Sequence, residues 1–406
     1  MTKKRKFVIV HVGHATDIVW CDRLRPIVEE CGLEMEALND SDDDFIERFN
    51  RTVCQNLDEI AALGSTNQYM FKYKVSGDQY LHQFCKLPII VQSMDNPALL
   101  MPEATKDDDN VICMFNSQSH ETLWKKYMGG KGKTFVDGIY PQTNFADAGD
   151  LTYEAYAARQ PKALLAVNMH HMDETLEMLW NKIREWPDEN NLVAVTAVDF
   201  MATAENMGAL EAVETAMEFH CWELNTETLV EIVSWVEAVV KVWRREYVLR
   251  ALIESPITIS TPHTPAFFWL RHRDKFVNTI GPETIALGPK FRATINISPP
   301  FPGCIHDRVI NSIEAGALLI SDTGTGIERI LTPGKDFVPY KFTDKNLPEV
   351  LEYYLNNPRE SYEMVISARA AWAASEVPGS GFKQALEYAI DLRDSRNAAG
   401  QAAASA

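Results

Sequence analysis

Apolar residues along the chain alternate between short continuous runs and longer stretches where they recur every three or four positions. Residues 7–12 form a short, largely β-branched run that stops at Gly13, the pattern of a strand buried in a parallel sheet. Leu24, Ile27 and Val28 follow at helical spacing. The run 40–44 (DSDDD) reads as a turn or helix cap, and 45–63 as a second helix. Residues 87–92 and 110–115 read as strands, with a helix predicted over 120–127 and a short segment 133–136 ahead of Gly138 and Pro141. After the polar segment that leads to Pro161, 163–168 form a new apolar strand. A helical region is predicted over about 173–254, strands over 257–260, 276–279, 293–297 and 317–321, and helices over 347–356, 358–375 and 381–393. The final ten residues, NAAGQAAASA, read as a loose tail.

Alternating strands and helices predict an α/β chain with parallel sheets, and 406 residues exceed one ordinary core. The expected division is an N-terminal domain over 1–160, a second over 161–375 carrying the helical segment 173–254, and a terminal helix with its tail over 376–406. The loops after residues 12 and 297 both follow strands, where open parallel sheets bind ligands, so they are expected to face one another across a cleft.

A net charge of −18 repels nucleic acid and anionic lipid, so neither is expected as a partner. The seven cysteines are odd in number and scattered singly, with no Cys-x-x-Cys, which fits reduced thiols in the cytoplasm. The N-terminal apolar run is too short for a signal peptide, contains His11 and runs into Asp17 without a small-residue cleavage site. No stretch approaches the ~20 apolar residues that cross a bilayer.

The chemistry concentrates in 296–322, NISPPFPGCIHDRVINSIEAGALLISD: strand, loop, helix, strand. Arg308 at the start of the helix and the positive pole of that helix suit a nucleotide diphosphate. Glu314, the lone acid just before Ala315 and Gly316, could accept hydrogen bonds from ribose hydroxyls.

This segment, with Asn296, His306-x-Arg308, Gly326-x-Glu328, the run Pro333-Gly334-Lys335-Asp336 and the helix ending LEYYLNNP, resembles the GT-B glycosyltransferases, and within them the spore-maturation CgeB-like group. The resemblance is best over about 276–374 and weaker over 163–168 and 89–138. It implies two Rossmann-like domains that join a nucleotide-sugar donor to an acceptor, with the donor on the second half and no metal or further cofactor. Arg308 would then neutralise the diphosphate and Glu314 hold the ribose. Thr323, Gly324, Thr325 and Gly326 would form a close-approach loop, with Glu328 near the donor sugar or the phosphates. Many retaining members carry a second glutamate where this chain has His306. The stereochemistry therefore does not carry over, although the imidazole could still donate to a phosphate oxygen or a sugar hydroxyl. His170, with His171 in VNMHHMDE, occupies the position where relatives have a glycine-rich loop near the donor.

His14 is the candidate general base if the enzyme inverts, with Asp17 close enough in sequence to orient it and Gly13 able to touch phosphate. Adjacent side chains such as His170 and His171 diverge and make a poor metal site. The runs 42–44 and 107–109 do not directly follow apolar strands and read as solvated turns, so no metal ligand is assigned. Two further readings fit the same architecture: a sugar-nucleotide epimerase or phosphorylase, and a non-catalytic scaffold built on the helical segment. A dehydrogenase is disfavoured because no Gly-x-Gly-x-x-Gly follows the first strand. The sequence does not specify the sugar, the nucleotide, the acceptor (protein, glycan or lipid) or the oligomeric state.

Overall fold

The computed structural model describes residues 4–13, 15–66, 74–76, 79–93, 96–101, 108–136, 151–168, 172–204, 206–262, 267–279, 281–324 and 326–405. The chain divides into two units, Met1–Pro141 together with Glu376–Ala406, and Gln142–Ser375. The expected pair of α/β Rossmann-like domains is therefore found, but with different limits. Residues 151–159 belong to the second unit because buried Tyr156 joins its core, and its hydroxyl donates to the Arg292 carbonyl at 2.9 Å. The segment 376–406 is no separate appendage. It forms the helix Ser380–Ser405, whose Phe382, Ala385, Leu386 and Ala389 pack into the first unit. The expected loose tail is helical to Ser405, consistent with alanine as the best helix former.

In the first unit β1 (Lys6–His11), β2 (Glu34–Asn39) and β3 (Ile60–Thr66) precede a two-stranded ribbon of β4 (Lys74–Ser76) and β5 (Gln79–Tyr80). Then come β6 (Ile89–Ser93), β7 (Val111–Phe115) and β8 (Lys133–Val136). Six of these form a parallel sheet ordered β2-β1-β3-β6-β7-β8. Side chains alternate across it: Phe7 and Ile9 meet the helix Ala15–Glu30 and the C-terminal helix, whereas Val8 and Val10 meet Phe45 and Phe49. The helix predicted over 45–63 ends at Thr52, and 60–66 is instead the central strand β3, buried at all seven positions. Its Ile-Ala-Ala-Leu composition hid a strand that neighbours on both sides and both faces impose.

The second unit has β9 (Gln160–Ala166), β10 (Ile257–Thr261), β11 (Phe276–Asn278), β12 (Phe291–Asn296), β13 (Leu318–Asp322) and β14 (Val338–Tyr340). They pair in parallel in the order β11-β10-β9-β12-β13-β14, the dinucleotide-fold order, with its reversal between β9 and β12. Between β9 and β10 the chain inserts four helices, Met172–Arg184, Asp188–Thr203, Ala209–His220 and Thr226–Leu252. The last returns Val248, Leu249 and Leu252 to the sheet core beside Leu165 and Ile259.

Candidate active site

Where strand order reverses, loops leave neighbouring strands in opposite directions and open the carboxyl edge of the sheet to ligands. Here that edge carries Asn168 beyond β9, the loop 297–306 beyond β12 and the loop 323–326 beyond β13. The Asn168 carbonyl accepts from Arg245 Nη1 at 3.3 Å.

After the loop beyond β12 comes the helix Asp307–Ala315, held down by buried Val309, Ile310 and Ile313 and ended by Gly316 in the left-handed region. His306 caps its N-terminus: Nδ1 accepts from the Arg308 amide at 3.2 Å and also touches the Asp307 carboxylate. One nitrogen cannot accept from the amide and donate to the acid at once. Burial lowers the His306 pKa against the pull of Asp307, which favours the neutral acceptor and leaves Nε2 as the donor. Arg308 Nη1 donates to the Ile297 carbonyl at 3.1 Å, folding the guanidinium over the end of β12. The cavity beside it, about 30 Å³ and lined in part by Leu164, Ile285 and Asn311, has room for water but not for a nucleotide.

A buried polar layer lies beside this helix. Register sets Asn296 against Ser321 and Asp322 against Tyr340. Asn296 Nδ2 donates to Ser298 Oγ at 2.9 Å and Ser321 Oγ at 3.0 Å, and Tyr340 Oη donates to the Asn296 carbonyl at 2.8 Å. The Ser298 amide donates to Asp322 Oδ1 at 2.8 Å. Burial pushes the Asp322 carboxyl up to about 6, against the opposing pull of Arg244 and Ser298. Arg244, from the helix Thr226–Leu252, is only 6% exposed. Its Nε has no hydrogen-bond partner, and its guanidinium lies 4.9 Å from the centre of the Phe342 ring. Burial lowers its pKa, opposed by Asp322 and Tyr340. A buried cation short of hydrogen bonds is costly, and an incoming anion would relieve that cost.

The loop after β13 is closed from within. The Gly324 amide donates to Glu328 Oε1, so that carboxylate is engaged with its own loop. Gly326 has φ +82°, and a Cβ there would stand 2.4 Å from the Gly303 carbonyl oxygen, so only glycine fits. Thr323 is half-buried beside it. Glu314 is half-buried in the last turn of the site helix, about 9 Å along the axis from Arg308.

The remaining candidates belong to the first unit or lie outside the described residues. Gly13 follows β1 with φ +74°, and a Cβ there would meet Asn39 Oδ1 at 2.7 Å. Its amide donates to Nδ1 of buried His11 at 3.0 Å. Burial lowers the His11 pKa and nearby Asp17, in the first turn of the following helix, raises it. His14, His170 and Thr325 lie outside the described residues. The aspartate runs serve locally: Asp42 takes Arg48 at 2.6 Å and Asp108 takes His82 at 3.0 Å, whereas Asp107 lies outside the described residues.

Arg244, Asp322 and Tyr340 were not among the sequence candidates. A signal existed for the arginine: Arg244 continues the buried series Val233, Val236, Val240 and Val248, where a charge has no business unless something needs it.

Residues 244–376 match a family model described as glycosyl transferase-like, a span that includes Arg244, Arg308, Glu314 and Asp322. No curated protein is significantly similar to the chain. Among solved structures, Anabaena HepE in complex with UDP and glucose is similar at 10% identity over 96% of this chain and 100% of that one, with a TM-score of 0.46. Sucrose-phosphate synthase from Thermosynechococcus elongatus shares 10% identity over 98% and 100%, at 0.46. WaaG, a glycosyltransferase involved in lipopolysaccharide biosynthesis, shares 11% over 95% and 98%, at 0.44.

Proposed function

We propose that this protein is a glycosyltransferase of the GT-B type that transfers a sugar from a nucleotide-sugar donor to an acceptor, with the donor diphosphate held at the carboxyl edge of the second sheet. The observation that carries this is the convergence of two cations of different origin at the ends of β12, β13 and β14: Arg308 on the site helix over the end of β12 and buried Arg244 beside Asp322, both acting on Tyr340. The glycosyl transferase-like match over 244–376 supports it. In the reaction, the helix N-terminus and the arginines stabilise the charge that grows on the departing diphosphate. In this reading His306 Nε2–H donates to a phosphate or sugar oxygen and Glu314 accepts from ribose. With charge compensation supplied by the protein, turnover requires no divalent ion and survives EDTA. The ordered series His306-x-Arg308, Glu314-Ala-Gly and Gly326-x-Glu328 supports a place in the CgeB-like group, and the seven free cysteines support a reducing, cytoplasmic setting.

The test is calorimetric titration with UDP, GDP, CMP and dTDP, then with the sugar conjugate of the best ligand. One nucleoside diphosphate should bind, Arg308→Ala should weaken it about 10- to 100-fold, and Glu314→Ala should abolish slow donor hydrolysis. Unchanged affinity in Arg308→Ala, in a folded protein, overturns the assignment.

A further inference from the structure

The inserted helices hold most of the acidity of the chain. Residues 173–237 carry fifteen aspartates and glutamates against only Lys182 and Arg184, a net −13 within a total of −18. Acidity alone marks solubility. Here two of those acids line a groove of about 580 Å³ between helices Met172–Arg184 and Thr226–Leu252, whose walls are Glu177, Met178, Asn181, Lys182, Glu185 and Trp235. Its floor is apolar: Met178 is 57% exposed and Trp235 is half-buried, its ring met edge-on by Trp186 at 6.5 Å. Lys182 answers Glu185 at 3.8 Å. Glu177, and Glu231 one turn before Trp235, are exposed and form no ion pair among the described residues. An indole with one unneutralised carboxylate in the same lining, a second one turn away on its own helix, and a soft thioether is the chemistry that receives a cationic side chain with an alkyl stem.

The geometry points to this groove as a docking site for a polypeptide, taken through a lysine or arginine side chain that lies on Trp235 and is flanked by Glu177 and Glu231. The choice of a polypeptide rests on charge complementarity: the acidic insert repels nucleic acid and anionic lipid and attracts a basic chain. The site is separate from the donor edge and does not depend on the reaction proposed above.

Fluorescence anisotropy with a fluorescein-labelled peptide of four Arg-Leu repeats tests it on the full chain, with the Glu-Leu peptide as control. At 50 mM salt the arginine peptide should saturate and the glutamate peptide should not, with affinity falling about tenfold by 500 mM. The double variant Glu177→Gln/Glu231→Gln and, separately, Trp235→Leu should each weaken binding about tenfold or more. Glu349→Gln/Glu352→Gln, which removes the same charge from another helix of the same unit, should not. No binding by the parent protein overturns the site. So does an equal loss in the Glu349/Glu352 control, because binding would then follow overall acidity.

Discussion

The guanidinium of Arg244 and the carboxyl of Asp322 act on each other electrostatically yet form no ion pair within 4.0 Å. The aspartate is instead held by the Ser298 amide and the arginine by the Phe342 ring, so neither charge is fully answered. Arg244→Met keeps most of the volume and a thioether contact with the Phe342 ring, and removes the charge. It should lower the thermal midpoint at pH 8, where Asp322 is left ionised without its cation, and much less at pH 5, where Asp322 is protonated, and should weaken nucleoside diphosphate binding about tenfold or more. Calorimetry beside differential scanning separates the two effects, and equal affinity would remove Arg244 from the site.

Asp322 gives the stability a pH dependence of definite sign. Its folded pKa, about 6, exceeds the unfolded value of about 3.9, so the folded chain holds the proton more tightly. Stability therefore falls as pH rises from about 4 to 6, by up to roughly 3 kcal/mol. In urea titrations at pH 4, 5, 6 and 8, Asp322→Asn should flatten that slope while the neutral amide oxygen still accepts from Ser298. Protonation also removes a negative charge beside the donor edge, so diphosphate affinity should be higher at pH 5.5 than at pH 7.5. The reverse order would contradict this placement.

Asp108 works in the opposite sense. Burial would raise its carboxyl, but hydrogen bonds from His82, Gln83 and Asn110 outweigh that and hold it well below the usual carboxylate range. Its contribution is present above about pH 4 and lost as pH falls. Asp108→Asn should destabilise the protein by about 1–3 kcal/mol at pH 7. In acid unfolding curves that difference should shrink towards pH 3, and a constant difference would show that proton linkage is not the cause.

Phe382 is 1% exposed and meets the Phe7 ring edge-on at 5.7 Å. Phe382→Ala should cost about 3–5 kcal/mol. By hydrogen exchange the lost protection should appear in β1, β3 and the helix Ala15–Glu30 rather than in the second unit. Equal loss throughout would mean that the two units unfold together.

The parts legible in the sequence were those with a local signature. Residues 347–356 formed the predicted helix because Leu347, Leu351 and Leu355 repeat on one face. The strands near 293–297 and 317–321 announced themselves as apolar runs. Among the strands that escaped, 34–39 and 60–66 owe their form to neighbours: alanine and glutamate prefer helices alone, but pairing with β1 on either side extends them. At the site, His306, Arg308 and Glu314 stood out because a helix start and a lone acid are local marks. Asp322 and Tyr340 meet only through strand register, and Arg244 reaches them from about eighty residues upstream, so no window of sequence contains them together.

The C-terminal helix has one more consequence, for the newborn chain. The first sheet emerges from the ribosome with one face only half covered, by the helix Ala15–Glu30, since Phe382, Ala385, Leu386 and Ala389 arrive only after the whole second unit has been made. Synthesis order and completion order are thus reversed. The later half can close while the earlier half waits, with the part of Phe7 that meets Phe382 uncovered, and that interval is when a chaperone has most to hold.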